Sequence, residues 1–217
     1  MRKLGIVIYL SALLILRASL PFCQEESTLK SSKPPLWKQA KELERNSFFY
    51  TVLPGDTLSG LARKYGTSIE FLQRSNGISG DRIFVGMKLK VVRVEFSILI
   101  KKRHNLLILF ANGKPIRRYR VATGEKGSTP VGVFKIVNKL KNPTWFHAGL
   151  VLPPESPQNI LGSRWLGFDN SGYGIHGTTL PDTIGTQSSK GCIRMLNSNV
   201  EEIYDLIPQG SRVVVEE

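Results

Sequence analysis

The stretch GYGIHGTTLPDTIGTQSSKGCIRM, residues 172–195, carries one histidine and one cysteine on either side of a polar, turn-rich segment. Its ends, Gly172–Ile175 and Cys192–Met195, read as short strands. A thiolate is a competent nucleophile near neutral pH when a base or a positive field lowers its pKa. An imidazole can take the thiol proton and later return it to a leaving amine. Cys192 and His176 are therefore the chemical pair of this sequence. Gly191 removes side-chain bulk where an electrophile would approach, and the Gly191 and Cys192 N–H groups are candidates to face a developing oxyanion. If Cys192–Arg194 is extended, Cys192 and Arg194 point to the same side. Arg194 would then depress the thiol pKa or hold a substrate carboxylate, with Lys190 adding to that field. A plainer account also fits these residues alone, with Cys192 a small buried hydrophobe and His176 structural. A metal site fits less well, because His104, His147, His176 and Cys192 lack the spacing of a helical ligand set.

The surrounding residues set this pair in a β-rich frame. Phe96–Ile100 and Leu106–Phe110 are apolar runs flanking Lys101–Asn105, which predicts a hairpin. Asn112-Gly113 is a turn dipeptide leading into Ile116–Ala122, which predicts a second. Val131–Val137 reads as a further strand and Arg212–Val215 as the last. Val200, Ile203, Leu206 and Ile207 recur at helical spacing. Residues 95–217 are thus expected to form a mainly β, sandwich-like domain with about one helix.

Residues 48–94 read as a separate βααβ module. Phe48–Leu53 is a β-rich run closed by the turn Pro54-Gly55-Asp56. Asp56 suits an N-cap for a helix carrying Leu58, Leu61, Ala62 and Tyr65, which Gly66 closes. Thr67 and Glu70 have capping-box spacing and open a second helix with Ile69, Phe71 and Leu72. Asn76-Gly77 ends that helix, and Leu89–Val94 is the second strand.

The N-terminus and the charge bound the setting. Arg2 and Lys3 precede the apolar run Leu4–Leu16, which reads as an export signal within residues 1–23, either cleaved or kept as an anchor. The bulky Phe22 argues against lipid attachment at Cys23. Residues 24–47 read as a linker rich in Ser, Lys and Pro. With only Cys23 and Cys192 present, a disulfide scaffold is excluded, and loss of Cys23 would leave Cys192 without a partner. The net charge of +13 is spread along the chain, with eight basic against four acidic residues in 1–47, seven against three in 48–93 and fifteen against ten in 94–217. That distribution lacks the stripe of a nucleic-acid reader. It suits a solvated basic surface or attraction to a polyanion such as a membrane surface or a cell-wall polymer.

Two resemblances sharpen these readings. Residues 48–94 resemble the LysM module through Tyr50-Thr51-Val52, Pro54-Gly55-Asp56-Thr57-Leu58, Leu61-Ala62, Tyr65-Gly66-Thr67, Asn76-Gly77 and Val85-Gly86-Met87-Lys88-Leu89. This implies binding of N-acetylglucosamine-containing glycans such as peptidoglycan. The implied groove lies between Gly55–Leu58 and Asn76–Ile83, with Gly55, Asp56, Thr57, Leu58, Asn76, Gly77 and Ile83 as contacts. Residues 95–217 resemble the L,D-transpeptidase catalytic domain through His176-Gly177-Thr178, Ser189-Lys190-Gly191-Cys192-Ile193-Arg194-Met195, Ser128–Ile136 and Leu161–Gly167.

The second resemblance implies that Cys192 attacks a stem peptide between its third residue and the fourth, a D-Ala. D-Ala leaves, a thioester remains, and an amine of a second stem takes the acyl group to form a cross-link. His176 is implied as the base, the Gly177 carbonyl as the group orienting it, and Ser189 as a support of the loop. Ser189, Lys190 and Arg194 are implied on the substrate side. No metal and no organic cofactor is implied. The implied partners are glycan strands and stem peptides; no nucleic acid is expected, and membrane attachment follows only where residues 1–23 are kept as an anchor. The implied place is the periplasm or cell envelope of a bacterium. Lys190 departs from the histidine that many members carry there, which touches the local pKa and substrate preference. L,D-carboxypeptidase activity and D-amino-acid exchange would use the same acyl-enzyme, and a non-catalytic peptidoglycan-binding scaffold would use none.

Overall fold

The computed structural model describes Leu36, Lys38, Gln39 and residues 46–217. The expected export segment and most of the expected linker lie outside the described residues. Among the described residues no helix is long and apolar enough to cross a membrane.

The first module consists of β1 (Asn46–Thr51), α1 (Leu58–Tyr65), α2 (Ile69–Asn76) and β2 (Lys88–Arg93). β1 pairs antiparallel with β2, with Phe48 opposite Val91 and Tyr50 opposite Leu89. Both helices end on left-handed glycines, Gly66 at φ 63° and Gly77 at φ 65°. Their starts are each displaced by one residue from the sequence expectation. Thr57, not Asp56, caps α1, its hydroxyl accepting the Gly60 N–H at 3.0 Å. The Asp56 carboxylate instead accepts from the Leu53 N–H at 2.8 Å and the Tyr50 hydroxyl at 2.7 Å, bracing the turn before the helix. Those two bonds hold Asp56 below the usual carboxylate range, and the bond to Asp56 pushes Tyr50 up to about 12. Ser68, not Thr67, caps α2, accepting the Phe71 N–H at 2.9 Å. Glu70 is then one position too early to close a capping box. Val52, Leu58, Leu61, Leu72, Leu89 and Val91 form the buried centre.

The remaining strands are β3 (Phe96–Lys101), β4 (Leu106–Ala111), β5 (Lys114–Arg120), β6 (Thr123–Gly124), β7 (Gly132–Lys141), β8 (Trp145–His147), β9 (Leu150–Leu152), β10 (Arg164–Phe168), β11 (Gly174–His176), β12 (Gln187–Ser189), β13 (Ile193–Arg194) and β14 (Arg212–Glu216), with one helix, α3 (Asn197–Leu206). Eight of them form a mixed sheet in the order β13-β11-β10-β7-β14-β3-β4-β5. The two expected hairpins are its β3-β4-β5 end. The sheet curls, because the chain leaving β5 meets the opposite end. Ala122 and Arg194 exchange both backbone hydrogen bonds at 2.9 Å. α3 buries Val200, Ile203 and Leu206 in one core with Leu166, Ile175 and Ile193. The domain is mainly β with one helix, as expected, while the β8–β9 hairpin had no sequence signal of its own.

The two modules fall within one compact unit. Phe71 of α2 is 1% exposed and belongs to the larger core, edge-on to Phe96 at 5.9 Å. Glu70 reaches Lys141 at 3.0 Å and Lys139 at 3.5 Å. Arg74 pairs with Asp205, and the Ser68 hydroxyl donates to the Asp205 carbonyl. The first module is thus docked on the second through apolar contact ringed by ion pairs.

Two outcomes follow. Phe71→Ala should lower unfolding free energy by about 3–5 kcal/mol in a urea titration, because it empties a shared core. Burial raises the Glu70 carboxyl, but Lys139 and Lys141 outweigh it and hold it below the usual range. Its contribution is full above the unfolded value of about 4.3 and is lost as pH falls through its lower folded value. Urea midpoints should therefore drop more steeply in acid for the native chain than for Glu70→Gln.

Candidate active site

Three adjacent strands assemble the site. Trp165 on β10 lies opposite His176 on β11, and His176 lies beside Arg194 on β13 in parallel register. Cys192 stands in the bend just before β13, two residues from Arg194, whose charge acts on its thiol. The structure therefore brings Cys192, His176 and Arg194 to one sheet end.

His176 is 2% exposed. Its Nδ1 lies 2.6 Å from the Gly177 carbonyl, which can only accept, so Nδ1 carries the proton and Nε2 keeps its lone pair. The Trp165 ring stacks on the imidazole at 5.9 Å and 23°. The indole N–H donates to Asn138 Oδ1 at 2.8 Å. Burial pushes the imidazole down to about 4, with Arg194 pushing the same way and the Gly177 and Leu161 backbone opposing.

Cys192 is partly exposed, and its thiol donates to the Gly172 carbonyl at 3.4 Å rather than to the imidazole. Burial pushes the thiol up, and the Gly174 backbone and the Arg194 charge only partly offset it. Arg194 thus acts in the expected direction and is outweighed. The resting pair is a neutral thiol and a neutral imidazole. Arg194 is 7% exposed, and its Nε is buried without a hydrogen-bond partner. Burial holds its guanidinium below the usual range, and Cys192 opposes that.

The loop that carries Cys192 is held by Ser189, which is 1% exposed. Its hydroxyl accepts the Gly191 N–H at 3.0 Å and donates to the Cys192 carbonyl at 2.6 Å. The Gly191 amide is therefore engaged inside the loop. Gly191 sits at φ 120°, and a Cβ there would come within 2.7 Å of the Tyr173 ring and 3.1 Å of the Ser128 carbonyl. Only glycine fits. Lys190 is exposed. Its Nζ lies 3.3 Å from His147 Nε2 on the β8–β9 hairpin, and His147 stacks on Trp145 at 4.5 Å.

The residues expected to contact glycan are placed differently from one another. Gly55 forms the turn at φ 85°, and Gly77 closes α2. Asp56 and Thr57 are engaged in the turn and the cap. Leu58 is 2% exposed and Ile83 packs against the module core. Asn76 staples α2 to β2 through both directions of its amide, to Lys90 N–H at 2.7 Å and Lys90 carbonyl at 2.9 Å. Thr57 is nonetheless exposed, and the large apolar side chains exposed on these loops are Leu53, Phe84 and Val85. The Gly86–Val52 and Val52–Met87 backbone bonds, at 2.8 and 2.9 Å, hold the two loops side by side. Sequence reading did not single these out, nor Trp165, Asn138 and His147 as neighbours of the site. Their signal is strand register, which one sequence does not print.

Residues 95–215 match the family model for the L,D-transpeptidase catalytic domain, and residues 50–92 match that for the LysM domain. The chain is 30% identical over 174 residues to the protein named L,D-transpeptidase YkuD of Bacillus licheniformis, covering 76% of this chain and 97% of that one. It is 39% identical over 124 residues to the protein named L,D-transpeptidase YqjB of Bacillus subtilis, covering 54% and 69%. A solved L,D-transpeptidase from Mycobacterium smegmatis superposes with a TM-score of 0.48 at 19% identity, covering 62% of this chain and 65% of that one.

The titration of the pair is measurable. In NMR, the His176 ring should stay neutral down to about pH 4. An unfolded histidine takes a proton near 6.5, so stability should be full above that pH and fall by about 3 kcal/mol as pH drops towards 4. His176→Asn should remove that slope. Alkylation of Cys192 should quicken about tenfold per pH unit between pH 7 and 9, as thiolate forms.

Proposed function

The chain belongs to the L,D-transpeptidase catalytic-domain family and carries a LysM domain ahead of it, and from that premise we propose that it forms a Cys192 thioester with a peptidoglycan stem peptide and passes the acyl group to an amine. The observation that carries this reading is the fixed imidazole. Nδ1 is committed to the Gly177 carbonyl, which leaves Nε2 as the ring nitrogen able to take a proton, and His176 pairs with Arg194, two residues from Cys192.

In the proposed course, Cys192 Sγ attacks the carbonyl that precedes the D-Ala. Because both groups rest neutral, the thiol proton moves to Nε2 during attack rather than before it. The Arg194 guanidinium steadies the developing thiolate. The Cys192 N–H faces the oxyanion, since the Gly191 N–H is held by Ser189. Nε2 then gives its proton to the leaving amine of D-Ala. The thioester stays on Sγ until the amine of a second stem, deprotonated by Nε2, attacks it. The bond to sulfur breaks, the proton returns to sulfur, and a cross-link between two stems is made. The LysM domain supplies the hold on the glycan, and the exposed Leu53, Phe84 and Val85 offer it an apolar rim. In this reading the protein acts in the cell envelope, with residues 1–23 as export signal or anchor.

The test is intact mass after incubation with a carbapenem, which acylates a competent thiol of this kind. An adduct of one carbapenem should appear in the native protein and be absent in Cys192→Ala. The native protein should convert stem peptides to dimers, and Cys192→Ala should not. His176→Gln should slow acylation by about 10²–10⁴-fold, the usual contribution of a positioned base. Lys190→Ala should leave carbapenem acylation within about threefold, because Lys190 faces His147 and a rim charge of this kind contributes little. A folded, reduced protein that takes no adduct would favour a wall-binding scaffold.

A further inference from the structure

The first residue of α3 reaches out of its own helix. Leu196, at the N-cap, makes no side-chain cap, and Asn197 does not supply one. Its side-chain Oδ1 instead accepts two backbone N–H groups, from Ser163 and from Thr178, each at 3.1 Å. The two donors flank the site. Ser163 precedes β10, which pairs with His176, and Thr178 is the second residue after His176.

The bond to Thr178 has a consequence for the histidine. The Thr178 N–H and the Gly177 C=O belong to one planar peptide unit and point in opposite directions. One edge of that plane donates to Asn197 Oδ1, and the other accepts from His176 Nδ1 at 2.6 Å. The preceding peptide is fixed as well, because the Gly177 N–H donates to the Arg164 carbonyl at 3.1 Å. Polarisation runs the same way along the chain of bonds, since an N–H that donates makes its own carbonyl a better acceptor.

The packing leaves no slack around this oxygen. A Cβ on Gly177 or on Gly162 would overlap Asn197 Oδ1. Both glycines therefore let the amide come close to the backbone. The segment that Asn197 holds through Ser163 also carries Leu161, whose backbone acts on the imidazole together with that of Gly177.

We infer that Asn197 is a positioning residue for the reaction, which sets the Gly177 peptide and through it the tautomer and orientation of His176. The inference rests on the proposed role of His176. It assigns Asn197 no contact with substrate.

Asn197→Ala removes the acceptor and frees the peptide to rotate. The expected result is a fall of about 10–100-fold in the acylation rate, of the size that misplacing a catalytic group by about 1 Å produces, with KM changed less than about twofold. The downfield Nδ1–H proton of His176 in NMR should weaken or vanish, and the acid limb of the pH–rate profile should move. Asn197→Asp keeps an acceptor oxygen in the same place and should restore both the Nδ1–H signal and the rate to within about threefold. Where Asn197→Ala does not fold, Asn197→Ser shortens the reach and carries the same comparison.

A folded Asn197→Ala protein with the native Nδ1–H signal and rate overturns the inference. So does equal loss in the Ala and Asp variants, tracking Tm. If the native protein is acylated by no substrate but its Nδ1–H signal still depends on Asn197, the transpeptidase reading fails and the positioning stands.

Discussion

Everything at the site depends on a strand two residues long. β13 is held on one side by β11 in parallel register and on the other by Ala122, which exchanges both backbone hydrogen bonds with Arg194. A two-residue strand has little intrinsic stability, and a parallel pair needs a long crossover. Here the crossover is the segment from Gly177 to Cys192, so the loop that presents Cys192 is also the connection that makes the pairing possible. Ile175 and Ile193 are fully buried beneath it, and Met195 N–H returns to the His176 carbonyl at 2.8 Å. The curl of the sheet closes at Arg194, so fold closure and the charge beside the thiol come from one residue.

That closure sets the electrostatics. Burying a histidine and a cysteine in one wall disfavours the charged form of each, and a single guanidinium does not reverse it for the thiol. The neighbouring arginine disfavours the imidazolium too. A thiolate–imidazolium pair is therefore costly at rest. The same burial explains why so much of the first ring of contacts is backbone. Gly172, Gly174, Gly177 and Leu161 act on the pair through main-chain groups, which carry no side-chain entropy to lose and no charge to desolvate.

What the sequence made legible was local. Asn112-Gly113 announced its hairpin, Gly66 and Gly77 announced helix ends, and the His176 and Cys192 segments announced the family. Each of these signals lies within a few residues of what it specifies. The errors were of one residue or of long range. Asp56 and Thr57 are both good caps, and the choice fell to Thr57 because Tyr50 and Leu53 claim the Asp56 carboxylate. Thr67 and Ser68 compete in the same way, and Ser68 prevails with its hydroxyl also reaching Asp205. The engagement of the Gly191 amide by Ser189, the stacking of Trp165 on His176 and the reach of Lys190 to His147 all depend on register and curl. No local pattern encodes them.

The displaced cap also bears on how the two modules work together. With Ser68 as N-cap, Glu70 does not close a capping box but turns to Lys139 and Lys141 of β7, and Phe71 turns into the larger core. Burial costs the Lys139 ammonium more than Glu70 returns, so its pKa lies below the usual lysine range. Such a pair adds little net stability over apolar packing, but removing one partner leaves an uncompensated charge. Its effect is therefore to fix one docked arrangement against others, while Phe71 supplies the adhesion. A flexible tether would raise local concentration on a polymer and leave orientation free. A docked module fixes both, so the direction in which the second domain's site faces is set by where the first module sits.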